Sequence, residues 1–264
     1  MRRGIVSTIT IVSVLAGILW LGGFAMGIQD QFFSAAMPPA GTTKYTKEKK
    51  ADNREIYIVA LGDSLTRGTG DERGKGYIGY MVDSLRKKTT KPIRVTNLAI
   101  KGQRSDGLLK QLGQAEIKRQ LKMADIIVMT IGGNDLFQGG EALKLAPKQI
   151  EQAKNAYLHN LDRIFQTIRS VNKDAVVFYI GLYNPFSDLG DAKKTSAIVR
   201  QWNFASAETA ARYPNIIAVP IFDLFELHVN DYLYSDHFHP NKEGYKRIGE
   251  RVASLITWTE EDKQ

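Results

Sequence analysis

The 264-residue chain contains no cysteine. That absence excludes a disulfide framework, thiol catalysis, thiolate-bound zinc and a lipid-modified N-terminal Cys. It fits an exported protein without requiring export. Histidine is nearly as scarce, with only His159, His228, His237 and His239, so any chemistry that needs an imidazole must draw on these four. No internal repeat is visible. Hydrophobic residues make up 43% of the chain and charged residues 24%, a composition that folds rather than one that stays disordered. The length suits one main domain better than several large ones.

The formal net charge is +8. The first 53 residues hold six Lys/Arg and three Asp/Glu, and the remaining +5 is spread along the chain without a long basic run. A membrane surface or a wall polyanion accounts for this as well as nucleic acid does. Charge alone therefore identifies no partner, and no nucleic-acid partner is read from it. The oligomeric state stays open.

After Arg2 and Arg3 comes an uncharged stretch of 26 residues, Gly4 to Gln29, with apolar residues on every face of a notional helix. About 20 such residues span a bilayer, whereas the apolar region of a cleaved signal is about 7–15 residues. The preceding arginines predict a cytoplasmic N-terminus and an extracytoplasmic C-terminal bulk. The expectation is a single-pass cell-membrane protein with residues 1–29 as an uncleaved N-terminal transmembrane anchor. Small residues at Ser34 and Ala36 suit the less favoured alternative, secretion after cleavage. Residues 30–53, with Pro38, Pro39, Gly41 and a Lys/Glu cluster, read as a linker. Residues 54–264 read as the globular domain.

That domain alternates two patterns. Short apolar runs at Glu55–Leu61, Ile93–Ala99, Asp125–Ile131, Ala175–Leu182 and Ile216–Pro220 suit strands buried on both faces of a parallel sheet. Between them, Ile150, Ala153, Tyr157, Leu161, Ile164, Ile168 and Val171 recur at helical spacing, and a last helix follows Asn241. The alternation predicts a three-layer α/β/α domain. In such sheets chemistry gathers at the carboxyl ends of strands, near a switch in strand order.

Three strand ends and the last loop carry polar clusters. Gly62-Asp63-Ser64-Leu65-Thr66-Arg67-Gly68 follows the first strand, and a tight glycine turn there presents the Ser64 hydroxyl. A serine needs a base to become a nucleophile. Ser235-Asp236-His237-Phe238-His239-Pro240-Asn241 supplies one, with Asp236 three residues before His239, a spacing that lets a carboxylate orient an imidazole. Gly102, after the second strand, offers a backbone N–H, and Asn134 of Gly132-Gly133-Asn134-Asp135, after the third, offers an amide. Both are candidate donors to an oxyanion.

These four blocks, in this order at strand ends, resemble the GDSL, or SGNH, hydrolase superfamily of esterases and lipases, from residue 56 to 245. The resemblance implies a flavodoxin-like sheet of five parallel strands ordered 2-1-3-4-5. It implies a Ser64–His239–Asp236 triad, with an oxyanion hole formed by the Ser64 and Gly102 N–H groups and the Asn134 side chain. The anchored single-domain form is most similar to bacterial thioesterase/lysophospholipase-type members. The implied reaction is hydrolysis of an acyl-ester substrate by way of an acyl-enzyme, with neither metal nor organic cofactor.

Plainer roles compete for several residues. Ser64 is also suited to capping the next helix. Asp63 and Asn97 read as turn-forming residues, Asp135 as a cap or turn residue, and His159 and His228 as structural. His237 is a rival to His239, disfavoured by the Asp-x-x-His spacing. The loop Thr69–Gly79, with Arg73 and Lys75, reads as a solvated, flexible segment, its other use being a cationic lip. Tyr183, Asn184, Pro185 and Phe186 are suited equally to lining a pocket and to packing. Two other chemistries draw on the same residue types: deacetylation or acyl transfer on a cell-surface polysaccharide, and, more remotely, metal-dependent phosphoester hydrolysis.

Overall fold

A computed structural model describes residues 55–138 and 146–257. Five parallel strands form one sheet: β1 (Ile56–Gly62), β2 (Ile93–Asn97), β3 (Ile126–Thr130), β4 (Val176–Ile180) and β5 (Ile216–Val219). Their order is β2-β1-β3-β4-β5, as the resemblance implies. The register pairs Ala60 with Asn97 on one side of β1 and with Val128 on the other. The order reverses at β1, so a crevice opens between the turns that follow β1, β2 and β3.

Each expected strand is found within two residues of its predicted ends. Side chains alternate across a strand, and the two faces build two cores. Tyr57, Val59, Leu61, Ile127 and Met129 point to one layer, and Ile58, Ala60, Val128 and Ile180 to the other. Burial on both faces holds throughout β1 and β3. It fails at the edge strand β2, where no residue is fully buried, because the covering helices do not extend over the rim of the sheet.

The first layer is covered by α3 (Ser105–Leu112), α4 (Ala115–Met123), α6 (Pro147–Val171) and α7 (Ala192–Ala210). The second is covered by α2 (Gly76–Leu85) and α10 (Lys242–Leu255). The expected apolar stripe of α6 is there, with Tyr157, Leu161, Ile164, Phe165 and Ile168 buried. Each such fully buried Leu, Ile or Phe stabilises the fold by about 1.5–3 kcal/mol. Among the described residues, four short helices are added to these: α1 (Ser64–Arg67), α5 (Gly133–Phe137), α8 (Phe222–Glu226) and α9 (Val229–Tyr232). The expected transmembrane anchor and linker lie outside the described residues. Among the described residues no helix is long and apolar enough to cross a membrane.

The reading of Thr69–Gly79 as a flexible loop needs correction. Residues from Gly76 on already belong to α2. The buried Asp71 carboxylate accepts hydrogen bonds from the backbone N–H groups of Arg73, Lys75 and Gly76, at 3.0, 3.0 and 2.9 Å. Lys75 pairs with Asp83 at 2.7 Å, and neither Arg73 nor Lys75 lines the crevice. The segment is a tight turn wound on one carboxylate.

Candidate active site

The turn after β1 is shaped by close packing. A Cβ on Gly62 would lie 1.9 Å from the Thr130 carbonyl oxygen, and its φ of +122° is one that only glycine adopts without strain. Asp63 is the N-cap of α1, accepting from Leu65 N–H at 3.1 Å. Ser64 is therefore the first helical residue rather than the cap, and its hydroxyl is left for other partners. At that position the backbone N–H has no acceptor within the helix.

Behind Ser64 lies a buried chain of hydroxyls. The Tyr77 hydroxyl is 2.9 Å from Thr66 Oγ1, Thr66 Oγ1 is 2.8 Å from Thr130 Oγ1, and Thr130 donates to Asp63 at 2.7 Å. Burial pushes the Asp63 carboxyl up to about 6, against the opposing pull of the Thr130 and Leu65 hydrogen bonds. Asn97 has the expected structural role, its amide donating to the Thr66 carbonyl at 2.8 Å.

His239 reaches this turn from the far end of the chain. Its Nε2 lies 2.8 Å from Ser64 Oγ and its Nδ1 lies 2.6 Å from Asp236 Oδ2. An ionised carboxylate only accepts, so Nδ1 carries the ring proton and Nε2 is free to accept from the serine. Partial burial pushes Asp236 up. The His239 ring and the backbone N–H groups of His239 and Phe238 outweigh it and leave the carboxyl below its ordinary range. The loop is held by backbone bonds between Tyr234 and His239, and Asn241 caps α10 while its amide donates to the Asp231 and Leu233 carbonyls. His237, the rival imidazole, is exposed at a φ of +54° and lines the crevice without joining this chain of contacts.

Ser64, Gly102, Asn134 and His239 all line one open cleft of about 510 Å³. Gly102 is exposed at a φ of +71°, with open space where a Cβ would sit. The Asn134 amide nitrogen donates to the Gln103 carbonyl at 2.9 Å. An amide nitrogen carries two hydrogens, so the second remains for a ligand.

The GDSL-like lipase/acylhydrolase family model matches residues 60–247. The chain belongs to that family. This GDSL-like esterase/lipase hydrolase is 35% identical over 252 residues to the uncharacterized protein YpmR of Bacillus subtilis (strain 168), covering 93% of this chain and 95% of YpmR. It is 27% identical over 209 residues to the spore germination lipase LipC of Bacillus licheniformis, covering 75% of this chain and 95% of LipC. Among solved structures it is similar to the lipase Lip_vut3 from a goat rumen metagenome, at a TM-score of 0.69 and 25% identity over 75% of this chain and 96% of that one.

The remaining walls of the hydrolase cleft present mostly apolar surface, from Pro185, Phe186, Leu189, Leu233 and Phe238, beside the polar Thr69, Lys101, Asp188 and Asn230. Phe238 meets Phe137 edge-on at 5.6 Å and His239 edge-on at 5.2 Å, so the aromatic cluster also supports the imidazole. Of Tyr183, Asn184, Pro185 and Phe186, the last two line the cleft and the first two pack. Asn184 is buried and donates to Thr195 and Ser196. Tyr183 is buried against Phe225 and donates to the Phe238 carbonyl at 2.5 Å. Burial raises its hydroxyl well above the usual range, which keeps it a neutral donor. His159 and His228 are exposed and lie off the cleft, the latter 3.5 Å from Asp231. Among the described residues no three His, Asp or Glu side chains converge as ligands around a point.

Three contributors were not singled out in the sequence: Asp71, Tyr183 as a support for the His239 loop, and Ser105. Ser105 donates from its hydroxyl and its backbone N–H to Asp135. Only the position of Asp135, next to Asn134, hinted at that last contact.

Proposed function

We propose that this protein hydrolyses carboxylic acyl esters through Ser64, with His239 as general base and Asp236 as the carboxylate that orients it. The supporting observation is the continuous contact Asp236–His239–Ser64 at 2.6 and 2.8 Å. His239 Nε2 takes the Ser64 proton as Oγ attacks the ester carbonyl carbon. The negative charge on the carbonyl oxygen is met by the Ser64 and Gly102 N–H groups and the free N–H of Asn134. When the C–O bond breaks, the imidazolium returns its proton to the departing alkoxide. Water, deprotonated by the same imidazole, then frees the acid from the serine. No step calls on a metal or organic cofactor.

The apolar wall of Pro185, Phe186, Leu189 and Phe238 favours an acyl chain over a sugar on that side of the cleft. A lipid or lysophospholipid ester is the substrate class this supports, in keeping with the lipase name of LipC. We place the domain outside the cell membrane, tethered through Gly4–Gln29. The support is the 26-residue uncharged stretch behind two arginines.

The test is turnover of nitrophenyl esters from acetyl to palmitoyl by the wild-type chain and its Ser64→Ala variant, with and without chelator. Serine-dependent, chelator-insensitive hydrolysis with an optimum beyond acetyl is expected. Activity in folded Ser64→Ala would overturn the mechanism. Turnover only when an alcohol acceptor is added would redirect the reading to acyl transfer. Protease access to the domain in intact cells tests the location.

A further inference from the structure

The turn that carries Gly102 and the short helix α5 that carries Asn134 are cross-linked beneath the cleft. Asp135 is buried, although it is charged and adjoins a surface crevice. Its carboxylate accepts from Ser105 N–H at 3.2 and 3.0 Å, and from the Ser105 hydroxyl at 2.6 Å. Ser105 is completely buried and opens α3, whose own N-cap residue, Arg104, makes no side-chain cap. Asp135 therefore caps α3 from a different element, satisfying its first N–H and meeting the positive end of its dipole. Asn160, from α6, closes the set by donating to Ser105 Oγ at 3.0 Å.

This cluster lies one residue from Asn134 and three from Gly102. Between them runs the bond from the Asn134 amide to the Gln103 carbonyl, at 2.9 Å. The Gln103 carbonyl sits between Gly102 and Ser105, so the anchor that fixes Ser105 also fixes the group that orients Asn134. A carboxylate is costly to bury, and a turn residue facing solvent would do the turn's work without that cost. The expense is explained if the separation of the two oxyanion donors must be held closely.

We propose that Asp135 and Ser105, supported by Asn160, are positioning residues that set the distance between the Gly102 N–H and the Asn134 amide. The inference rests on the oxyanion role proposed above. None of the three lines the cleft, so they act through the donors, on the transition state, and not on substrate binding. A displacement of about 1 Å in such a group costs on the order of 10²-fold in rate.

The experiment measures kcat and KM of the full chain for Ser105→Ala, Asp135→Asn and Asn160→Ala, alone and combined with Asn134→Ala. Wild type and Ser64→Ala establish first that turnover depends on Ser64. If it does not, the proposed function fails and this inference falls with it. With Ser64-dependent turnover in hand, Ser105→Ala and Asp135→Asn are expected to lower kcat about 10–100-fold with KM within about twofold. On top of Asn134→Ala they should cost less than about twofold more, because the separation they set no longer exists once the amide is gone. Unchanged kcat in the folded variants would overturn the inference, as would a full, additive loss in the Asn134→Ala background. If Asp135→Asn does not fold, Ser105→Ala and Asn160→Ala, which leave the Asp135 carboxylate and its bond from the Ser105 N–H in place, give the same two answers.

Discussion

The turn that carries Ser64 is backed by buried polar groups and opens onto the cleft, whereas the loop that carries Asp236 and His239 stands at the surface. Asp63, Thr66 and Thr130 are all buried, and their hydrogen bonds run to one another and to Tyr77. Asp236 keeps 39% of its side chain exposed and His239 17%, and their loop is held mainly by backbone contacts and by Tyr183 from below. The frame of Ser64, the proposed nucleophile, is thus part of the folding core. The frame of His239, its proposed base, is an attachment to it. Substitutions among the buried groups of the first should cost stability, and those at Asp236 and His239 themselves should cost activity with little change in stability.

The largest effects sharpen that contrast. Ser64→Ala and His239→Ala should each lower kcat by about 10⁴–10⁶-fold, and the double variant should be no worse than either, since the pair acts as a unit. Thermal melts should be unchanged; a destabilised His239→Ala would break the comparison. Asp236→Asn should cost about 10⁴-fold in kcat by favouring the wrong imidazole tautomer, again with an unchanged melt. Asn134→Ala should cost about 10²–10³-fold, the usual loss for one oxyanion donor.

The buried turn should answer in stability instead. Thr130→Val leaves the Asp63 carboxylate short of a donor and should destabilise by about 1–3 kcal/mol in urea unfolding. Asp63 also sets a pH dependence. Its folded pKa of about 6 lies above the unfolded value of 3.8, so its contribution is full below that unfolded value. It is lost as pH rises from there through about 6, amounting to about 2 kcal/mol between pH 4 and pH 7. Asp63→Asn should flatten this trend, and an identical slope in both proteins would rule the assignment out. The smallest effect belongs to Tyr183→Phe, which removes one hydrogen bond under the His239 loop and should shift stability by about 1 kcal/mol.

The parts of this molecule that could be read in the sequence are those written in neighbouring residues. The central strands are continuous apolar runs because they are buried on both sides, and glycines stand at or just after their ends, Gly62 because the Thr130 backbone approaches it closely. Four short blocks at those ends carry the residues that the fold brings together around the cleft. The unread parts are pairings between distant positions. Nothing near Ser105 announces Asp135, and nothing near Tyr183 announces the Phe238 carbonyl, since each partner is supplied only when the sheet assembles. Asp71 escaped for a different reason. Its partners are close by, but they are backbone N–H groups, which leave no trace in residue type. The edge strand β2 shows the converse, an apolar run whose burial depends on how far the helices reach.

Ser64 and His239 touch across 175 positions of chain. A protein is made from its N-terminus, so the alcohol is synthesised long before the imidazole that is proposed to activate it. Until α10 docks beside α2 and draws the last loop over the cleft, Ser64 is no more reactive than any other serine. On that proposal, a chain whose last loop has not yet docked is chemically inert toward the esters around it. Completion of the fold and the onset of reactivity are a single event.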